Sequence, residues 1–244
     1  MLGYIRLEVT RMRRDVAFVL FGVAMPVAMY VIFTNAGLAP GNEEVAALYA
    51  MVGIAAYGGM GAAFNNGSGL AEDRAIGWLR QLRLTPLSPA TVVTGKVVTG
   101  MVIVVPSIAA VLAAGVLVNG VRLGAGQWIA IVGLLWAGTV PFALLGLGTG
   151  YLLTGQAAAL VNFAATMGLA VVGGLWIPSV SFPGWLQAIS EWTPTANYAA
   201  LSWRVAFGSA PTLRSVAVLL GWTAVFGAYA AFAYRRAGRA ARSS

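Results

Sequence analysis

One charged interval, residues 72–96, lies between long apolar stretches of this 244-residue sequence. The interval reads EDRAIGWLRQLRLTPLSPATVVTGK, and the stretches on either side, 45–71 and 97–121, contain no Asp, Glu, Lys or Arg. Three apolar residues recur at helical spacing among its charges, which predicts a short amphipathic helix: Ile76, Leu79 and Leu82. An apolar anchor with a charged rim is suited to docking a partner rather than to making or breaking covalent bonds.

Catalytic and metal chemistry lack their usual side chains in this sequence. It contains neither His nor Cys, which excludes disulfides, thiolate metal sites and an imidazole base. The pair Gly95-Lys96 is followed by Val97 and lacks the earlier glycine of a nucleotide-binding loop. We therefore predict no catalytic residue, no metal site and no cofactor bound by this chain, so that any ATP is hydrolysed elsewhere.

Within the docking interval, the sequence predicts where the amphipathic helix ends and where the next helix begins. The amphipathic helix is expected to stop at Thr85-Pro86, and Ser88 before Pro89 is a good helix start. The Ser hydroxyl can accept from a free amide, and proline needs no donor at the first helical position. The predicted order is an apolar span, a short polar helix, a turn and another span.

A family resemblance follows from this interval. The loop resembles the cytoplasmic loop of type-2 ABC exporter permeases in these residues: Asp73, Arg74, Gly77, Leu79, Gln81, Leu82, Thr85, Pro86, Leu87, Ser88, Gly95 and Lys96. Two positions depart from the family pattern, since Trp78 stands where threonine is usual and Arg80 where an acid is common. The resemblance implies a coupling segment, 72–88, that docks into a separate ATPase through Asp73, Arg74, Gly77, Trp78, Leu79, Leu82, Thr85 and Pro86.

The resemblance also implies the assembly. Two permease subunits, identical or related, would pair in the membrane, and each would contact one of two ATPase copies. ATP and Mg²⁺ would then bind the partner ATPase, and closure of the ATPase pair would move the docking segments.

Composition places the chain in a membrane. Hydrophobic residues make up 59% of the sequence, charged residues 9%, and the mean hydropathy is +0.82, whereas soluble domains carry about 25% charge. The net charge of +8 comes from basic residues that lie beside the apolar stretches, so it indicates membrane topology rather than nucleic-acid binding. We expect an all-α protein forming a single transmembrane domain, residues 1–244.

Six apolar stretches are long enough to cross a bilayer as helices. The expected spans are 16–34, 45–70, 97–119, 127–153, 158–177 and 215–234, with a break near Thr154-Gly155-Gln156. Residues 1–15 carry apolar side chains on one helical face and charges on the other, which favours an interfacial helix over a plain basic tail. Glycines in the second span and the Gly146-xxx-Gly150 spacing indicate close helix packing.

The segment 178–213 differs from the spans. Three prolines, at 183, 194 and 211, separate short amphipathic stretches of this segment. One of these stretches places Trp185, Leu186 and Ile189 on one helical face. Its remaining large aromatics are expected at the membrane interface: Trp192, Tyr198 and Trp203. The segment resembles the last external loop of the same family, a re-entrant hairpin of two short helices that each follow a proline.

Basic residues predict the orientation. With both termini in the cytoplasm, 12 of the 15 Lys and Arg residues lie inside and three outside, as the positive-inside rule requires. The three outer ones are Arg122, Arg204 and Arg214. With the resemblance, this predicts a multi-pass protein of the cytoplasmic membrane of a prokaryote.

Uncharged polar and aromatic residues within the spans are candidates for a translocation path. They are Tyr57, Phe64, Asn65, Asn66, Asn162 and Thr166. An amide that faces lipid leaves donors and acceptors unpaired, so these groups should face a cavity or simply join helices. A path without fixed charges favours an amphiphilic or apolar cargo such as a drug, antibiotic or lipid.

Three other functions compete with an exporter permease. A secondary transporter would normally hold ionisable groups inside its spans, and none of the six spans has a central one. An intramembrane enzyme is disfavoured because His and Cys are missing and the acids are confined to loops. A scaffold that only recruits a partner through residues 72–96 remains open.

Overall fold

Long apolar helices make up most of the described chain. The computed structural model describes residues 18–36, 42–75 and 89–240, of which 18, 66–70, 72–75, 89–97, 99 and 238–240 are described by their backbone alone. Every regular element in those residues is helical. The helices are α1 (Met25–Asn35, preceded by a π-helical stretch, Phe18–Ala24), α2 (Glu43–Ala75), α3 (Pro89–Asn119), α4 (Ala125–Ala137), α5 (Val140–Leu152), α6 (Gly155–Val172), α7 (Gly184–Ser190), α8 (Pro194–Ala206) and α9 (Leu213–Ala240).

Five helical stretches in the described residues are long and apolar enough to cross a membrane. They are Glu43–Asn65, Gly100–Asn119, Ala125–Leu152, Gly155–Val172 and Leu213–Ala237. The first expected span corresponds to a shorter apolar helix, Val19–Asn35, so a count of six spans stays a prediction. The expected interfacial helix, 1–15, lies outside the described residues.

Helix α2 lies at the centre of the bundle. Of its most apolar window, 78% is buried, and it packs against α1, α3, α4, α5, α6 and α8. Its small residues make this possible: a Cβ on Gly58 would lie 2.5 Å from Ser107 Oγ on α3 and 3.2 Å from Pro26 on α1. The packing role predicted for the glycines of this span is therefore confirmed at Gly58, where α1 and α3 both approach the backbone closely.

The fourth expected span is interrupted. Helix α4 ends at Ala137, and α5 begins at Val140 after a turn at Gly138 and Thr139. Pro141 has no amide hydrogen, so it fits the first turn of α5, where no intrahelical donor is needed. The next break falls between Leu152 and Gly155, where the sequence predicts it.

Two short helices occupy the segment between α6 and α9. Helix α7 begins directly after Pro183, and α8 begins at Pro194, where the Thr193 hydroxyl accepts from the Ala196 amide at 3.2 Å. Helix α7 presents Trp185 and Ile189 outward, with 68% and 52% of their surfaces exposed. Helix α8 instead packs among α2, α4, α6 and α9.

One aromatic on α8 differs from its sequence-based prediction. The expectation that Tyr198 lies at the membrane interface is wrong, since its side chain has no exposed surface. Trp192 is 61% exposed, whereas Trp203 is half-buried and stacked on Tyr49 with ring centroids 4.4 Å apart. A helix that enters the bundle can bury a large aromatic completely, and the proline-punctuated sequence does not distinguish this from a surface location.

Candidate functional site

The helices on either side of the docking interval continue beyond their apolar spans. Helix α2 continues through residues 72–75, which follow the charge-free stretch 45–71 and add about 6 Å. Helix α3 begins at Pro89, eight residues before the charge-free stretch 97–121, which is an extension of about 12 Å. Because α2 and α3 pack together as consecutive helices, both extensions point to the same side of the bundle.

Two of the predicted docking residues, Asp73 and Arg74, lie on the last turn of α2, where the structure describes the backbone. Residues 72–75 of the expected docking segment, 72–88, continue α2, and the docking role of the segment stays a prediction. The helix start predicted at Ser88-Pro89 is confirmed by α3. The other docking candidates lie outside the described residues: Gly77, Trp78, Leu79, Leu82, Thr85 and Pro86.

Three candidate path residues meet where α2, α5 and α6 pack together. The Asn162 side-chain amide on α6 donates to the Phe64 carbonyl of α2 at 3.1 Å. The Asn162 Oδ1 lies 2.6 Å from the Thr149 hydroxyl of α5, and the Thr166 hydroxyl donates to the Asn162 carbonyl at 2.8 Å. We call this group, Phe64, Thr149, Asn162 and Thr166, the polar node.

The polar node is buried within one protomer. Exposed surface amounts to 1% for Phe64, 1% for Asn162, 5% for Thr149 and 6% for Thr166. Close helix approach shapes it, because a Cβ on Gly146 of α5 would lie 2.9 Å from the Phe64 carbonyl oxygen. The Asn162 side chain is hydrogen-bonded to groups on two other helices, and so joins three helices. These hydrogen bonds offset the desolvation cost of burying a polar amide.

The remaining path candidates are Tyr57, Asn65 and Asn66. Tyr57 is 7% exposed and meets Trp176 edge to face, with centroids 5.1 Å apart. The Asn65 side chain is exposed although it follows Phe64 directly, and the Asn66 side chain lies outside the described part. A translocation path along all six residues thus stays a prediction, and Asn65 is the polar candidate at the surface of the protomer.

Two contact residues were not identified from the sequence: Thr149 of the polar node and Tyr198 of α8. Thr149 was hidden inside the Gly146-xxx-Gly150 stretch, where a hydroxyl between two glycines is the available signal. Tyr198 donates from its hydroxyl to the Leu135 carbonyl at 2.7 Å, and burial raises the pKa of this phenol, so it remains a neutral donor. No local pattern distinguishes Tyr198 from the exposed aromatics of the same segment.

Known proteins are similar to this chain over nearly its whole length. The family model described as ABC-2 family transporter protein matches residues 24–232. The chain belongs to this ABC-2 transporter family. It is also 28% identical over 222 residues to the Bacillus subtilis (strain 168) protein YvfS, which is named as a transport permease, with 90% of each chain covered.

The match to the ABC-2 family includes both the α2–α3 hairpin and the buried bundle. The chain is a multi-pass membrane protein with the role of a transport permease, and it acts as a transmembrane subunit rather than as an enzyme. Association with an ABC ATPase subunit is implied by the family. The ABC-2 match begins at residue 24 and therefore includes both helices of the hairpin.

Proposed function

We propose that this chain is the transmembrane subunit of an ATP-driven exporter in the cytoplasmic membrane of a prokaryote. It would move an amphiphilic or apolar molecule outward, powered by two copies of a separate ATPase that bind ATP and Mg²⁺. Two permease copies, identical or related, would form the membrane part, with both termini of each in the cytoplasm.

The extended α2–α3 hairpin is the observation that carries this proposal. Its two helices run about 6 Å and about 12 Å past the charge-free stretches 45–71 and 97–121, and they bracket residues 76–88, which hold the apolar anchor Trp78, Leu79 and Leu82. A docking surface in this segment would lie outside the apolar spans, where a soluble partner can reach it. It is also joined without interruption to α2, the most buried of the candidate spans.

The lack of charge inside the spans supports an amphiphilic or apolar cargo. Between their first and last turns, the five candidate spans contain no Asp, Glu, Lys or Arg. A strongly charged solute would find no counter-ion there and would lose its hydration at a large cost. The same feature disfavours a transporter driven by protons or ions, which needs titratable groups in the membrane.

The docking role can be tested by co-purification. The full-length permease, affinity-tagged, is expressed with its partner ABC ATPase and extracted in mild detergent. Leu79→Asp with Leu82→Asp should release the ATPase because two charges would replace the apolar anchor, while the permease stays in the membrane. A matched control adds two acids elsewhere, Ser209→Asp and Ala210→Asp in the exposed loop before α9, and should retain the ATPase.

Each result separates the competing functions. If the ATPase stays bound to the Leu79 and Leu82 variant, docking lies outside residues 76–88 and the proposal fails at that point. If the ATPase binds but ATP produces no movement of any amphiphilic dye in proteoliposomes made from the complex, the result supports a scaffold that only recruits a partner. Dye movement driven by a proton gradient without ATP would identify a secondary transporter.

A further inference from the structure

Tyr198 of α8 is inserted at the break between α4 and α5. Its ring lies against Gly138, where a Cβ would come within 2.6 Å of Tyr198 Cε2, and against Phe142 at a centroid distance of 5.5 Å. Its hydroxyl lies near α2, because a Cβ on Gly59 would be 3.2 Å from Tyr198 Oη. The side chain therefore touches both sides of the break and the central helix, and it is fully buried.

The break leaves a backbone carbonyl without its usual donor. In a continuous helix the Thr139 amide would donate to the Leu135 carbonyl, four residues back. Here it donates instead to Trp136, three residues back, at 3.2 Å. The Tyr198 hydroxyl supplies the replacement, donating to the Leu135 carbonyl at 2.7 Å, so that a buried acceptor is satisfied by another element of the fold.

A second hydrogen-bonded contact joins α8 to α4. The Gln127 side-chain amide, in the first turn of α4, lies 3.0 Å from the Val205 carbonyl and 3.4 Å from the Ala206 carbonyl, at the end of α8. Among its neighbours α4 packs most extensively on α8, whereas α5 packs chiefly on α2 and α9. The two halves of the interrupted span therefore belong to different parts of the bundle.

We propose that Tyr198 is a positioning residue that fixes the re-entrant helix α8 to the break at Gly138, so that α4 and α8 move as one body against α5. The break supplies the pivot, and the Tyr198 ring and hydroxyl hold the two helices in register across it. The Gln127 contact fixes the other end of the same body. This inference concerns the permease alone and depends on neither the cargo nor the ATPase.

Hydrogen–deuterium exchange on the purified full-length permease in lipid nanodiscs tests this. Tyr198→Phe keeps the ring and removes the hydroxyl, and peptides covering 134–142 and 194–206 should then exchange about fivefold to tenfold faster, as expected for one buried hydrogen bond. Peptides from α9 should be unchanged. The matched control is Tyr30→Phe, because Tyr30 is equally buried and its hydroxyl has no hydrogen-bond partner among the described residues.

Two further variants distinguish a moving body from local loosening. Gly138→Ala should accelerate exchange in the same two regions, because its methyl group displaces the Tyr198 ring. In the double variant Gln127→Ala with Tyr198→Phe, exchange in α8 should exceed the product of the two single effects, since both hydrogen-bonded contacts between α4 and α8 are then lost. Unchanged exchange in Tyr198→Phe, an equal rise in α9, or independent effects of the two substitutions would overturn the inference. None of these results bears on whether the permease docks an ATPase.

Discussion

The Asn162 side-chain amide donates to the Phe64 backbone carbonyl at 3.1 Å, which joins α6 to α2 across 98 residues of sequence. The same side chain meets the Thr149 hydroxyl at 2.6 Å, so a single asparagine connects three helices of the bundle. In a membrane, where water cannot replace a lost partner, such a residue contributes to the stability of the helix arrangement.

Replacement of Asn162 by alanine should destabilise the permease. The Phe64 carbonyl would lose its side-chain donor and Thr149 one partner, and we expect a loss of about 1–2 kcal/mol in the free energy of unfolding. Denaturant unfolding of the purified protein in detergent, followed by circular dichroism, measures this. Asn65→Ala is the control, because that side chain is exposed, and it should change stability by less than about 0.5 kcal/mol while lowering cargo movement. Equal destabilisation by both would contradict the placement of Asn65 on the cargo path.

The packing of α5 on α9 should be sensitive to a methyl group at Gly148. The Tyr229 ring occupies the space that a Cβ would take there, so Gly148→Ala forces the ring or the helix to shift. We expect a loss of about 1–3 kcal/mol and a lower melting temperature in detergent. Gly227→Ala on the facing helix is the control, because its nearest neighbour would be Leu144 Cδ1 at an ordinary 3.8 Å. Similar melting temperatures for the two variants would show that α9 adjusts freely.

Trp203 should contribute more to stability than Trp185. The Trp203 indole donates to the Tyr49 carbonyl at 3.0 Å and stacks on the Tyr49 ring with an interplanar angle of 10°. Trp203→Phe removes the donor and leaves that carbonyl short of a partner, which should cost about 1 kcal/mol in unfolding experiments. Trp185→Phe, at a side chain 68% exposed, should have little effect. A larger loss for Trp185 would indicate that α7 packs against something outside the protomer.

Cysteine labelling tests the orientation predicted from basic residues. Because the chain contains no cysteine, single substitutions give clean labels. Ser209→Cys and Gly41→Cys should react with an impermeant maleimide in intact cells, whereas Gln81→Cys and Ser243→Cys should react after lysis only. The opposite pattern would place the α2–α3 hairpin tip outside the cell and remove the basis for ATPase docking.

Hydropathy and turn chemistry predicted the elements that depend on local sequence. The break before Gly155 and the start of α3 at Pro89 were both predicted, since glycine and proline act on the backbone they belong to. The interruption at Gly138 was not predicted, although Pro141 lies within the expected span 127–153. A proline in an apolar run tells little about whether the helix bends or restarts unless its neighbours are known.

The contacts between helices were beyond sequence reasoning for a related reason. Asn162 was identified as a polar residue that needs a partner, but Thr149 and the Phe64 carbonyl become its partners only when α2, α5 and α6 pack together. Tyr198 was assigned to the interface because tyrosine suits that environment. Its burial depends on the space left by Gly59 and Gly138 on two other helices.

The continuation of α2 and α3 past the apolar spans makes this hairpin a lever. A tilt of about 20° around the membrane edge would move the start of α3 by roughly 4 Å, since that extension is about 12 Å long. The other arm of the lever is α2 itself, whose apolar window is 78% buried and which touches six of the other helices. A force applied at the end of α2 therefore reaches most of the bundle through one continuous helix.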